Sequence, residues 1–165
     1  MLPDLPTLLL VRLGVDVLIA GAFWSLMRRY PAIGGPGWWS LGSVISIVGT
    51  LALMSRSGGA GPLMAAASAV LLFGAHATTW LGLRSYLRLP MPWRVLGTVS
   101  GVHAVLQVGL AFHGDRSGPH QLAYAVAGLV LVVLVLRDLV GLKAHNSTRE
   151  FHELTLVTLA EGVAL

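Results

Sequence analysis

Apolar residues run along this chain in five long stretches, at about 5–27, 38–55, 62–83, 93–112 and 121–142. A helix needs roughly 20 mostly apolar residues to cross the hydrocarbon core of a bilayer, and each stretch is about that long. The connectors between them are short and built of helix breakers: YPAIGGPG (30–37), SGGAG (57–61), RSYLRLPMP (84–92) and HGDRSGP (113–119). Gly/Pro clusters of this kind end helices and let neighbours run antiparallel. The pattern therefore predicts an all-α polytopic transmembrane bundle of five spanning helices over residues 1–143. Trp38, Trp39, Trp80 and Trp93 fall at predicted span ends, where indole rings favour the headgroup boundary.

The remaining residues, 144–165, read differently. His145-Asn146-Ser147-Thr148 is polar, and Ser147 or Thr148 is a suitable N-cap for a short C-terminal helix over 151–165. Glu153 and Glu161 interrupt that segment, so it reads as a cytoplasmic or interfacial tail, or as the opening of a sixth helix cut short.

Composition strengthens the membrane reading. Mean hydropathy is +0.77, and only 11% of residues are charged against 55% hydrophobic, too little charge for a soluble surface. The formal charge of +4 is explained by position. Arg28, Arg29, Arg84, Arg88, Arg94, Arg137, Lys143 and Arg149 fall on one predicted side, and only Arg56 and Arg116 on the other. The positive-inside rule then puts the N-terminus outside and the C-terminus in the cytoplasm of a bacterial inner membrane, with the lipid bilayer and its anionic headgroups as partners. No basic stripe is interleaved with aromatics, so no nucleic-acid partner is expected. The chain has no cysteine, which excludes disulfides and thiolate chemistry. The start, Met1-Leu2-Pro3-Asp4, lacks the basic region of a cleavable signal peptide.

Few residues are placed to carry chemistry. Asp16 falls near the middle of the first span, where an ionised carboxylate is costly, with Arg12 one turn away. Arg four residues before Asp is the less favourable order on a helix, so intrahelical pairing is a weak reason to keep both. The fourth span carries Ser100, His103 and Gln107 on one face, which should point into the bundle because lipid offers no partners. His76 lies at a depth comparable to His103, so Asp16, His76 and His103 are candidates for one buried layer. Such a layer serves interhelical hydrogen bonding, ligand or proton sensing, or, through His76 or His103, ligation of haem or another tetrapyrrole. No cofactor or metal is otherwise called for. Gly97-x-x-x-Gly101 and Gly74-x-x-x-Thr78-x-x-x-Gly82 mark helix faces able to approach closely, within the bundle or in a homodimer. Walker, G-x-S-x-G and H-E-x-x-H patterns are missing, and His152-Glu153 is a lone pair in the tail, so no enzyme is expected in these residues.

Several runs resemble the multi-helix membrane sensor region that precedes bacterial diguanylate cyclase (GGDEF) domains. An aromatic pair followed by x-L-G opens the second span (Trp38-Trp39-Ser40-Leu41-Gly42). A W-x-G-x-R-x-[FY] run ends the third (Trp80 to Tyr86), Pro92-Trp93 opens the fourth, and Leu5-Pro6-Thr7 is similar to that family's start. The resemblance covers about residues 4–142. It implies a seven-helix sensor region with its N-terminus outside and a cytoplasmic cyclase domain following. This sequence holds neither seven spans nor a GGDEF-type loop, so it reads as truncated, and any cyclase activity would belong to an absent domain or a partner.

The expected function is therefore a signal-sensing membrane module. An accessory subunit of a respiratory or photosynthetic complex, in contact with a tetrapyrrole, is the alternative, and a transporter comes third because no inverted repeat is visible. The cation bias yields a direct test. A reporter enzyme fused after Lys143 should be active only in the cytoplasm, and periplasmic activity would reverse the orientation.

Overall fold

The computed structural model describes residues 5–55, 61–112 and 117–143. Among them the regular structure is five α-helices: α1 (Leu5–Arg29), α2 (Pro36–Ser55), α3 (Gly61–Tyr86), α4 (Trp93–Phe112) and α5 (Ser117–Lys143). All five are long and apolar enough to cross a membrane. The predicted C-terminal helix, the His152-Glu153 pair, and Arg56, Arg116 and Arg149 lie outside the described residues. The chain divides into two compact units. One runs to Ala127 and holds α1 to α4 with the first part of α5, and the second begins at Gly128. In the second unit, Leu131 and Leu139 are buried, and Arg137 and Asp138 lie 3.6 Å apart.

Helix ends follow local chemistry. Gly35 adopts φ +109° and its carbonyl accepts from the Trp39 amide at 3.0 Å, so Pro36 sits in the first turn of α2. Proline suits that position because its missing N–H would be unpaired there anyway. At the same end of the α2–α3 hairpin, α3 runs to Tyr86, three residues beyond the predicted span. It is closed by amides of Arg88 and Leu89 donating to the carbonyls of Ser85 (3.2 Å) and Arg84 (2.8 Å). That pair of bonds needs a left-handed residue after the helix, usually glycine, and here Arg88 takes it at φ 55°. Helix α5 begins at Ser117, four residues before the predicted start. Pro119 lies within the first turn, where it does not interrupt the hydrogen-bond ladder.

Helix α3 is the centre of the first unit, packed against α2 on one side and α4 on another. Its buried residues include Ala66, Leu72, Phe73, Ala75, Ala77, Trp80 and Leu81. The α2–α3 contact is close because glycines meet side chains across it. A Cβ at Gly42 would stand 2.6 Å from Thr78 Oγ1, and one at Gly49 would stand 3.1 Å from Leu71 and Leu72. The tightest point is Gly82, where an added Cβ would collide with the Trp39 indole. That indole has nowhere to retreat. Its Nε1–H donates to the Thr79 carbonyl at 3.2 Å, and its ring lies against Phe23 (5.1 Å between centroids) and Tyr86 (6.0 Å). Of the predicted stripe Gly74-Thr78-Gly82, Thr78 and Gly82 are thus true close-approach positions. Gly74 is only in ordinary contact with Ile45, at 3.8 Å.

Two expectations are corrected here. Gly97 and Gly101 are not packing positions within the chain, since both are exposed and an added Cβ would meet nothing within 4 Å. The G-x-x-x-G spacing records small side chains on one face of α4 but not which face turns inward. Trp80 faces the interior of the bundle and not a lipid–water boundary. It is 2% exposed, with the Arg84 guanidinium over its ring at 5.6 Å. Arg84 is itself buried and donates from Nε (3.0 Å) and an Nη (2.7 Å) to the Pro90 carbonyl, which fastens the α3–α4 connector. By contrast, Trp93 is 56% exposed and meets Trp38 in a tilted ring contact.

These contacts separate two glycines. Gly82→Ala should lower the melting temperature in detergent, by roughly 1–3 kcal/mol of overpacking. Gly101→Leu should change stability by about 0.5 kcal/mol or less. Equal losses at the two positions would contradict the packing described.

Candidate functional site

The polar side chains of the first unit gather at one depth. Ser46 stands ten residues from Pro36, His76 ten from Tyr86 and His103 ten from Trp93, each measured from the same end of the bundle. At about 1.5 Å per residue this is about 15 Å, half of a hydrocarbon core roughly 30 Å thick.

On the α1 side, Arg12 Nε and Asp16 Oδ2 are 3.9 Å apart, the limit of an ion pair. The closer partner of the carboxylate is on α2, where the Ser46 hydroxyl donates to Asp16 Oδ2 at 2.7 Å. An Arg12 Nη donates in turn to Ser46 Oγ at 3.5 Å. Asp16 is the more enclosed of the charged pair, with 17% of its side chain exposed against 37% for Arg12. The guanidinium thus neutralises the carboxylate from the more open side, and Ser46 supplies the short hydrogen bond. Charge-assisted bonds to a carboxylate are the stronger kind, and this one joins two helices.

On the α3 side, His76 Nε2 and the Tyr124 hydroxyl share a 3.0 Å hydrogen bond. The Tyr124 ring stands edge-on to His103 at 6.1 Å between centroids. Tyr124, from α5, therefore touches both histidines. His103 is 2% exposed, lies on Phe73 at 4.6 Å and brings Nε2 to the Ala69 carbonyl at 3.4 Å. A carbonyl only accepts, so Nε2 carries the proton and Nδ1 presents a lone pair. That Nδ1 is buried and, among the described residues, has no hydrogen-bond partner, and the same holds for Thr50 Oγ1 on α2.

The predicted residues are thus partly united. Arg12 and Asp16 form one half of the layer, His76 and His103 the other. Gln107 is fully buried but belongs to a separate link one turn away. Its Nε2 donates to the His120 carbonyl at 3.1 Å, and His120 Nδ1 donates back to Gln107 Oε1 at 2.7 Å. Ser100 is half-buried, and among the described residues it makes no side-chain hydrogen bond to either group. Three participants were not singled out from the sequence. Ser46 is an ordinary small residue in an apolar run, Tyr124 resembles packing, and His120 falls beside a proline read as a breaker.

The geometry bears on the tetrapyrrole option. Both histidine Nε2 atoms already face hydrogen-bond partners, and the Tyr124 ring lies against both imidazoles. A haem plane between them would have to displace that tyrosine, so the arrangement does not fit axial ligation by the pair. Among the described residues, no group of three or more His, Asp or Glu is arranged to hold a metal ion.

Comparison with protein-family models, with curated proteins and with solved structures gave no match to this chain.

The His76–Tyr124 bond should be measurable as a coupling. In a double-mutant cycle of His76→Ala and Tyr124→Phe, the interaction energy should be about 0.6–1.7 kcal/mol, the range for polar contacts between membrane helices. A value indistinguishable from zero in unfolding assays would remove Tyr124 from the layer.

Proposed function

We propose that this chain is an integral membrane signal-sensing module, with the mid-depth polar layer as its receiving element. The observation that carries the reading is the concentration of ionisable and polar side chains from five helices at one depth. Ionisable residues inside a membrane are costly and commonly mark ligand, ion or proton pathways. Structural need explains them incompletely, because the Arg12–Asp16 pair is loose and His103 Nδ1 is left unpaired where an apolar side chain would cost nothing.

In this reading a proton or small ligand reaches Asp16 or His103 and changes the bonds between helices. Only an input that binds two arrangements with different affinity can shift their balance. Replacing the Ser46–Asp16 bond changes how α1 sits on α2, and disturbing His76–Tyr124 changes the seat of α5 on α3. The chain itself is not an enzyme. Its output passes to a cytoplasmic domain or partner, such as one that makes cyclic-di-GMP, in line with the resemblance to regions preceding diguanylate cyclases. The module sits in a bacterial inner membrane with the N-terminus outside and the C-terminus cytoplasmic, as the arginine distribution supports.

The absence of cysteine makes the test convenient. Spin labels at Leu18 on α1 and Val105 on α4, both exposed, would report interhelical distances in liposomes between about pH 5 and 8, near the range where His titrates. The wild-type distribution should shift across that range. Asp16→Asn should abolish the shift while keeping the melting temperature within a few degrees. A constant distribution in the wild type, with Asp16→Asn only lowering stability, would reduce the layer to structure.

A further inference from the structure

The end of the first unit that carries the α1–α2 connector has a second feature, independent of the polar layer. A shallow depression of about 400 Å³ opens there, lined by Met27, Ile33, Gly35, Trp38, Leu41 and Ser85 among others. Its lining is mainly apolar. Ile33 and Leu41 are 47% and 45% exposed, so the depression is open to the surroundings.

Three cations belong to the same end of the unit, close in sequence to residues of the depression's lining. Arg28 and Arg29 directly follow Met27, and the Arg88 amide is bonded to the carbonyl of Ser85. All three are exposed, and among the described residues none pairs with a carboxylate. The only carboxylate among the described residues of this unit is Asp16, about half a membrane away. Exposed Trp24, Tyr30, Tyr86 and Trp93 gather at the same end, and aromatic side chains of this kind favour the level of lipid headgroups. An apolar depression and three exposed arginines that pair with no carboxylate among the described residues thus share one end of the unit.

We infer that this depression is a binding site for one anionic phospholipid. An acyl chain lies along Ile33, Trp38 and Leu41, and the phosphodiester meets Arg28, Arg29 and Arg88. Charge complementarity selects the occupant. Arginine donates paired hydrogen bonds to phosphate oxygens, and a net-anionic lipid supplies a charge that a zwitterionic one cancels. Ser85 adds a hydroxyl at the polar mouth.

Brominated lipids, which quench indole fluorescence on contact, test this with the full chain in phosphatidylcholine nanodiscs. The Trp38 signal is defined as the part lost in Trp38→Phe. Brominated phosphatidylglycerol should quench it at about five- to tenfold lower mole fraction than brominated phosphatidylcholine, in keeping with the attraction of arginines for anionic lipid. The combined variant Arg28→Gln, Arg29→Gln, Arg88→Gln should lose that preference. The unmodified protein should also lose most of it when salt rises from about 50 to 500 mM, which checks the charge dependence even if the variant folds poorly. Equal quenching by the two lipids would leave only ordinary boundary contact and overturn the proposal. A preference that survives both the substitutions and the salt would also overturn it. Protection by millimolar glycerol phosphate would make this a soluble-phosphate pocket instead of a lipid site.

Discussion

The seating of Trp39 against Gly82 is the contact on which the rest of the unit depends. In lipid, helices gain nothing from hiding apolar surface from one another, so close packing and hydrogen bonding must hold them. A glycine at 82 lets a large ring fill the space between α2 and α3, while Phe23 and Tyr86 hold that ring from two further directions. One indole thus ties α1, α2 and the end of α3 together. Beside it, Arg84 is enclosed over Trp80 and bonded to the Pro90 carbonyl, which sets where α4 begins. The residues that carry the resemblance to sensor regions, from Trp38 to Gly42 and from Trp80 to Tyr86, are largely the residues of this junction. Their pattern is explained by packing, without invoking a ligand.

With that junction set, the depth of the polar layer follows. Ser46, His76 and His103 each stand ten residues from the helix terminus at the junction's end of the bundle, on three different helices. The layer is consequently held at a fixed distance from the arginine-bearing end. It is divided into an ion-pair half under α1 and an imidazole–phenol half between α3, α4 and α5. Hydrogen bonds across helices replace the water that these groups would otherwise require, and the unpaired Nδ1 of His103 is the point where that replacement is incomplete.

The five helices were legible because hydrocarbon thickness imposes a length that composition reveals directly. Counting residues from span ends also brought His76 and His103 to one level. Side-chain direction was less accessible. Gly97 and Gly101 have the same spacing as Thr78 and its neighbours, yet α4 turns them outward, and spacing alone does not encode the helix's rotation. The start of α5 was misplaced because Pro119 looks like a terminator when it lies in a first turn. That shift hid His120 and obscured the depth of Tyr124. Ser46 was missed for a different reason: hydroxyls in membrane helices often bond to their own backbone, as Ser43 and Ser68 do here, so nothing local distinguishes the one that crosses to Asp16.

Helix α1 is the least enclosed of the five, with none of its apolar window buried. Its described attachments to α2 fall between Arg12 and Phe23: Arg12 and Asp16 on the Ser46 hydroxyl, the Ser40 hydroxyl on the Ala20 carbonyl at 3.2 Å, and Phe23 against Trp39. The last two lie on the Arg29 side of Asp16. Releasing the carboxylate would therefore leave α1 pinned near the connector and free to swing at its far half. The helix is thus held like a bar hinged at the tryptophan junction, with its last tie half-way along the bundle.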